Sequence, residues 1–184
     1  MRNFLIDLFG NKNNQENLES YKFAVYLLAD KNISWTEMPS QSNLSEIKLA
    51  HQPLFTINDI SSYYWEKHSF VLSDEAEKNI ANNLRLIDET IIPFVVVVNE
   101  ERIYGGIFLK DLMLAAAYAE IPFIRFSGFN KDRDGSYFSG FEYVKNTHHI
   151  SFYLTKDKTN TDPRNDSKIK QVLKEENKLV FSDI

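Results

Sequence analysis

The sequence predicts an α+β fold: a single, mostly antiparallel sheet with helices packed on one face. Three observations carry this expectation. Pro93 to Val98 is an unbroken apolar stretch of strand length, the kind covered on both faces at the centre of a sheet. Asn99-Glu100-Glu101 then turns the chain into Arg102 to Leu109, which returns as a hairpin partner. Ahead of them, Ala76, Ile80 and Leu84 recur at four-residue spacing, with Glu77, Lys78, Asn79 and Asn82 outward, the period of an amphipathic helix.

The other elements follow in chain order. Phe4, Leu5, Leu8 and Phe9 predict a short helix over residues 2–9. Tyr21 to Ala29, aromatic and branched, reads as the first strand, closed by Asp30-Lys31-Asn32. Ile33 to Met38 adds a second short strand, and Pro39 to Asn43 is loop. Ile47 to Phe55 alternates only in part and holds Pro53, so it is expected at a sheet edge. Thr56 and Asp59 are helix caps placed before Tyr63, Tyr64 and Trp65, which predicts one or two helical turns there. His68 to Leu72 is strand-like and ends at Ser73, whose hydroxyl caps the amphipathic helix. Asp74 and Glu75 then sit in the first turn, where the helix dipole favours acids.

Beyond the hairpin, Lys110 to Ala119 has helical composition, and Phe123 to Phe126 is a short strand. Ser127 to Gly140, with three glycines, reads as an exposed loop, and His149 to Thr155 as a last strand. Lys156 to Asp166 is charged and almost free of apolar side chains, the composition of a mobile linker. Ile169, Val172 and Leu173 then form the buried stripe of a final helix, and Leu179-Val180-Phe181 an extended docking tail. The division is therefore a globular domain over 1–155, a linker over 156–166, and a C-terminal helix and tail over 167–184 that dock on the domain.

Composition narrows the function. With 184 residues the chain is long enough to bury roughly 70% of its unfolded surface in one domain. It has no cysteine, which removes disulfides, thiolate metal sites and cysteine nucleophiles, and fits a reducing, cytoplasmic setting. The first ten residues lack the long apolar core of a secretory signal. The longest apolar run, Ile91 to Val98, is far short of a membrane span. A formal charge of −5 repels a phosphate backbone, so neither nucleic acid nor membrane is the expected partner. Aromatic side chains make up 14% of the chain, which argues for a filled core or an adhesive surface.

Few constellations carry chemistry. Asn130-Lys131-Asp132-Arg133-Asp134-Gly135 follows the alternate spacing of a calcium loop, with Asn130, Asp132 and Asp134 as oxygen ligands. Phe141 stands where the bidentate acid belongs, so the stretch reads first as a solvated acidic turn and only second as a calcium site. His148 and His149 are adjacent and point to opposite faces of a strand, so they do not share an ion. His68, with Glu66 and Trp65 near it, has the chemistry of a general base. The sequence places no serine elbow or paired acid beside it, and it reads as a packed or surface histidine. Gly105-Gly106 lacks any phosphate-loop continuation and reads as a β-bulge. Tyr63, Tyr64, Trp65 and Tyr104 are the candidate stacking surface for a ligand or partner, against the alternative that the rings are core.

The stretch His68-Ser69-Phe70-Val71-Leu72-Ser73-Asp74-Glu75-Ala76, a helix, then Pro93 to Asn99 and Arg102-Ile103-Tyr104 resembles the strand-helix-strand-strand unit of SecD-type periplasmic domains. Small bacterial proteins built on the same unit look similar. The resemblance covers residues 56–109, implies an antiparallel sheet with helices on one face, and brings no catalytic residue with it. The chain lacks the membrane segments of SecD, so no role in translocation is implied.

The functional expectation is a non-enzymatic protein-binding protein, an inhibitor or immunity-type partner with an acidic, aromatic surface. The alternative is a small-molecule or calcium-binding domain, or an enzyme with its site in the 127–149 loop region.

Overall fold

A computed structural model describes residues 21–30, 41–109, 122–125, 149–153 and 162–181. The predicted helices over 2–9 and 110–119, the strand over 33–38 and the loop over 127–140 lie outside the described residues. The described strands are β1 (Phe23–Leu27), β2 (Phe55–Thr56), β3 (Ile60–Tyr64), β4 (Ser69–Leu72), β5 (Ile91–Val98), β6 (Glu101–Leu109), β7 (Phe123–Arg125), β8 (His149–Tyr153) and β9 (Leu179–Val180). The described α-helices are α1 (Asp74–Arg85) and α2 (Ser167–Glu175). The fold is thus α+β, with mostly antiparallel strands.

Two ladders, β2-β1-β5-β6-β7 and β4-β3-β9, meet at β8. That strand pairs β7 through Phe123↔Tyr153 and β4 through Phe70↔Ile150, both antiparallel. Among the described strands, only the pairs β6–β7 and β3–β9 run parallel. No helix among the described residues is long and apolar enough to cross a membrane.

Strand β5 is buried on both faces, and two apolar clusters grow from that. Phe94, Val96 and Val98, with Phe23, Val25 and Leu27 of β1, face a cluster that includes Ala76, Ile80 and Leu84 of α1 and Ile169, Val172 and Leu173 of α2. Val95 and Val97, with Ala24 and Tyr26, face a second cluster closed by Leu44, Ile47 and Leu49. Each such side chain contributes about 1.5–3 kcal/mol when fully buried, so the hairpin β5–β6 and its neighbour β1 dominate stability. Arg102 fastens the second layer by donating to the carbonyls of Leu44 and Ile47.

Local chemistry fixes the element ends. Ser73 Oγ accepts from the Ala76 amide at 3.2 Å, capping α1 as expected, with Asp74, Glu75 and Glu77 in its first turn. Glu77, expected outward, is buried. Asn99 and Glu100, at φ 47° and 69°, make the tight turn between β5 and β6; positive φ at both positions matches the twist of a two-residue hairpin.

Four expectations are corrected. Tyr63 and Tyr64 lie in β3, not in a helical turn. Thr56 and Asp59 form a capping box on the short 3-10 turn Ile57–Asp59 alone, and the tyrosines then pair with Phe70 and Ser69. The edge strand expected over Ile47 to Phe55 shrinks to β2, with a single bridge between Leu49 and Leu28, because Leu44, Ile47 and Leu49 are drawn over the second face of β1 and β5. The bulge falls not at the glycines but at Ile103, where the register shifts between Val96↔Tyr104 and Val97↔Arg102. Lastly, the part of the expected linker that is described, Asp162–Asp166, is no linker: Asp162 caps a 3-10 turn over Pro163–Asn165, and Arg164 is buried.

Gly106 has a different task. A Cβ there would stand 2.3 Å from the Phe94 ring and 2.6 Å from the Pro122 carbonyl oxygen. The latter accepts from Ile107 N at 3.1 Å as β7 enters beside β6. Gly106→Ala should therefore lower the unfolding free energy by about 1–3 kcal/mol in urea denaturation. An unchanged midpoint would mean that β7 is free to move away from β6.

Candidate functional site

The four candidate rings are divided between core and surface. Tyr63 and Tyr104 are buried, while Tyr64 and Trp65 are half-buried. The proposed metal ligands Asn130, Asp132 and Asp134 lie outside the described residues, as does His148. Among the described residues no three His, Asp or Glu side chains gather to hold a metal.

A polar cluster that the sequence did not assemble surrounds the buried rings. His68 follows the 3-10 turn Trp65–Lys67 and adopts the left-handed conformation, φ 46° and ψ 39°, its amide donating to the Trp65 carbonyl at 3.2 Å. Histidine tolerates this region better than most side chains. The bend carries its imidazole inward. Nδ1 lies 3.4 Å from the Tyr63 hydroxyl, and Nε2 lies 3.7 Å from an Asp162 carboxylate oxygen. The Tyr63 hydroxyl and Nδ1 are hydrogen-bonded, while the Asp162 carboxylate faces Nε2 from beyond hydrogen-bond distance.

Asp162 is the paired acid missing from the sequence reading of His68. Its carboxylate receives Nε of Arg164 at 2.8 and 2.9 Å, Nη2 of the same guanidinium, and the Arg164 amide at 3.0 Å. The two side chains are only 12% and 11% exposed. The sequence signal was present in Asp162-Pro163-Arg164: an acid followed by proline opens a capped turn. Nothing local reveals that this turn is covered by His68 and Tyr63.

The electrostatics follow from burial. Desolvation pushes the Tyr63 phenol above its ordinary range, with Arg164 opposing and Asp162 adding. Burial raises Tyr104 strongly; Tyr63 and Asp162 act in the same direction and Arg164 against it. His68 is lowered from 6.5, first by burial and then by Arg164, against the raising effect of Asp162 and Glu66. Burial alone would raise Asp162, but the hydrogen bonds and charge of Arg164 outweigh it and hold the carboxyl below 3.8. At neutral pH the cluster is therefore one ion pair flanked by a neutral imidazole and two neutral phenols.

The exposed side of the same region is aromatic. The Trp65 ring stands edge-on to His68 at 5.6 Å and tilted to Tyr63 at 6.1 Å. Strand β9 runs beside β3 with Tyr63↔Leu179 and Tyr64↔Val180 in register. Phe181 follows, 56% exposed, and the Lys170 ammonium lies 5.0 Å from the Trp65 ring centre and 5.5 Å from that of Phe181.

No family model, curated protein or solved structure matches the chain. Its chemistry is thus argued from this geometry alone.

Two outcomes test the cluster. A lowered histidine pKa means that the unfolded chain takes up a proton more readily, so the stability from neutral His68 is present above about pH 6.5 and is lost as pH falls below it. Asp162 acts only at lower pH, its contribution persisting through 3.8 and vanishing as pH falls through its lowered value. Urea denaturation should show wild type weakening from pH 7 toward 5 and His68→Asn staying nearly flat; equal slopes would place the titration elsewhere. Arg164→Met, which leaves the Asp162 charge without its partner, is expected to cost about 3 kcal/mol at pH 7, and a loss under about 1 kcal/mol would mean that solvent screens the pair.

Proposed function

We propose that the chain is a non-enzymatic, cytoplasmic protein-binding domain that docks a basic partner on the aromatic edge formed by Tyr64, Trp65 and Phe181. The observation that carries this reading is Phe181, a large ring more than half exposed just after the last strand of the described sheet order, with the Lys170 ammonium near both it and Trp65. Exposed aromatic side chains on a rigid support are the usual energetic centres of protein interfaces. The net charge of −5 favours a basic partner, through steering more than through contact energy. An inhibitor or immunity-type role fits both features.

At the level of architecture, we propose one continuous curved sheet with both α-helices on the same face. Support comes from the shared apolar cluster of α1 and α2 and from the element order β4–α1–β5–β6. That order is also the ground for proposing kinship in topology, without shared activity, with the strand-helix-strand-strand unit of SecD-type domains.

A second reading rests on the His68–Asp162 pair. A buried imidazole beside a carboxylate and two phenols is chemistry that a small-molecule site uses. Calcium binding through Asn130, Asp132 and Asp134 belongs to the same alternative. A melting temperature raised by calcium over chelator, or by a metabolite set, supports this second reading.

The decisive measurement is capture by the tagged protein from its native cell, with partners quantified by mass spectrometry against Phe181→Ser and Leu86→Ser. Leu86 is 48% exposed at the end of α1, far from Phe181 in sequence, and serves as the matched control. We expect a stoichiometric basic partner whose affinity falls at least about tenfold, or ~1.4 kcal/mol, with Phe181→Ser and is kept with Leu86→Ser. A partner indifferent to Phe181, or none bound by a folded bait, refutes the docking edge.

A further inference from the structure

We propose that Trp65 and Phe181 form a receptor for one cationic side chain of that basic partner, preferably arginine, and that Lys170 is a resident cation which the partner displaces. This rests on the protein-binding reading and deepens it. Both ring distances, 5.0 and 5.5 Å, fall within the roughly 6 Å over which a cation is attracted to an aromatic face. Lys170 thus shows that the space beside the two rings accommodates a positive charge.

The rings and the occupant differ in rigidity. Trp65 is held by its contacts with His68 and Tyr63 and by packing against the main apolar cluster. Phe181 is placed by the β3–β9 pairing and by the Tyr63 amide, which donates to the Lys178 carbonyl at 2.7 Å. Lys170 instead reaches across from the exposed side of α2 on four flexible bonds. A packed Trp65 ring and a solvent-accessible lysine are suited to exchange: the incoming cation replaces one ammonium beside the rings. Arginine has the advantage because its planar, weakly hydrated guanidinium stacks on indole, whereas an ammonium remains a strongly hydrated point charge.

Resident and incoming cations compete, and that competition gives the test its sign. Removing Lys170 vacates the rings and should tighten binding of a cationic probe. Lys170 is the lysine placed at both rings; Lys174, one helical turn further along α2, carries the same charge, so Lys174→Ala reports the effect of net charge.

The probe is an acetylated, amidated peptide of three Gly-Arg repeats, compared with its neutral citrulline counterpart. Binding is followed by the indole N–H resonance of Trp65, assigned with Trp35→Phe. We expect the arginine peptide to shift that resonance and the citrulline peptide not to. Lys170→Ala should tighten binding at least about threefold and Lys174→Ala much less. Phe181→Leu, which keeps apolar bulk and discards the aromatic face, should weaken it at least about fivefold. Equal effects of the two lysine changes, or no effect of Phe181→Leu, overturn the receptor. The titration needs no native partner: a receptor that fails here while the captured partner still depends on Phe181 leaves the docking edge standing, and the reverse result removes the partner and keeps the cation site.

Discussion

The seating of the C-terminal segment depends on one constraint: the guanidinium of Arg164 is buried, and a buried charge must be paired. Asp162 meets it from two residues away, which forces residues 162–166 into a capped turn against the sheet. Once the turn is seated, α2 begins at Asp166 and lays Ile169, Val172 and Leu173 on the core. The chain then closes with β9 beside β3. An ion pair of this kind is poor as a source of net stability, since desolvation offsets most of the attraction. Its effect is on geometry: it selects one seating of the C-terminal segment among the many that a stripe of three apolar side chains would accept.

From that pair the order extends outward through His68. The left-handed backbone at His68 turns its imidazole toward Asp162 and Tyr63. Trp65, edge-on to the same imidazole, inherits a fixed orientation, and Tyr63 links the cluster to β9 through its amide. A buried polar network thus sets the position of an exposed aromatic edge. Burial of Tyr104 in β6 near Tyr63 and Arg164 connects the network to the central hairpin, although β6 and β3 are separated by β7, β8 and β4 in strand order.

How far this was legible in the sequence differs by element, for physical reasons. Helix α1, helix α2 and the β5–β6 hairpin announce themselves because their signals are local: Ser73 before two acids, a four-residue apolar period, and a valine run ending in a turn. Tyr63 and Tyr64 were misjudged as helical because the caps Thr56 and Asp59 belong to a single 3-10 turn, and nothing upstream says that the helix stops there. Polar composition predicts a linker over 156–166, but polar composition does not guarantee exposure. Arg164 shows why by burying a charge whose cover, His68 and Tyr63, comes from a distant part of the chain. The aromatic surface was half legible: Trp65 and Tyr64 are at the edge, Tyr63 and Tyr104 are inside, and Phe181, read only as docking tail, supplies the exposed ring.

The same geometry weighs on how the cluster is used. A general base must offer a lone pair to a substrate proton at hydrogen-bonding distance. In His68, Nδ1 is hydrogen-bonded with the Tyr63 hydroxyl, and Nε2 faces the Asp162 carboxylate. The Asp162 carboxylate is taken up by Arg164 from three donors. These contacts run outward to Trp65, whose ring stands edge-on to the His68 imidazole. Rigidity is valuable to an interface for a definite reason: side chains already fixed lose little entropy on binding, so more of the contact energy appears as affinity. The contacts of Trp65 with His68 and Tyr63 therefore reduce what that ring would lose on any contact it makes.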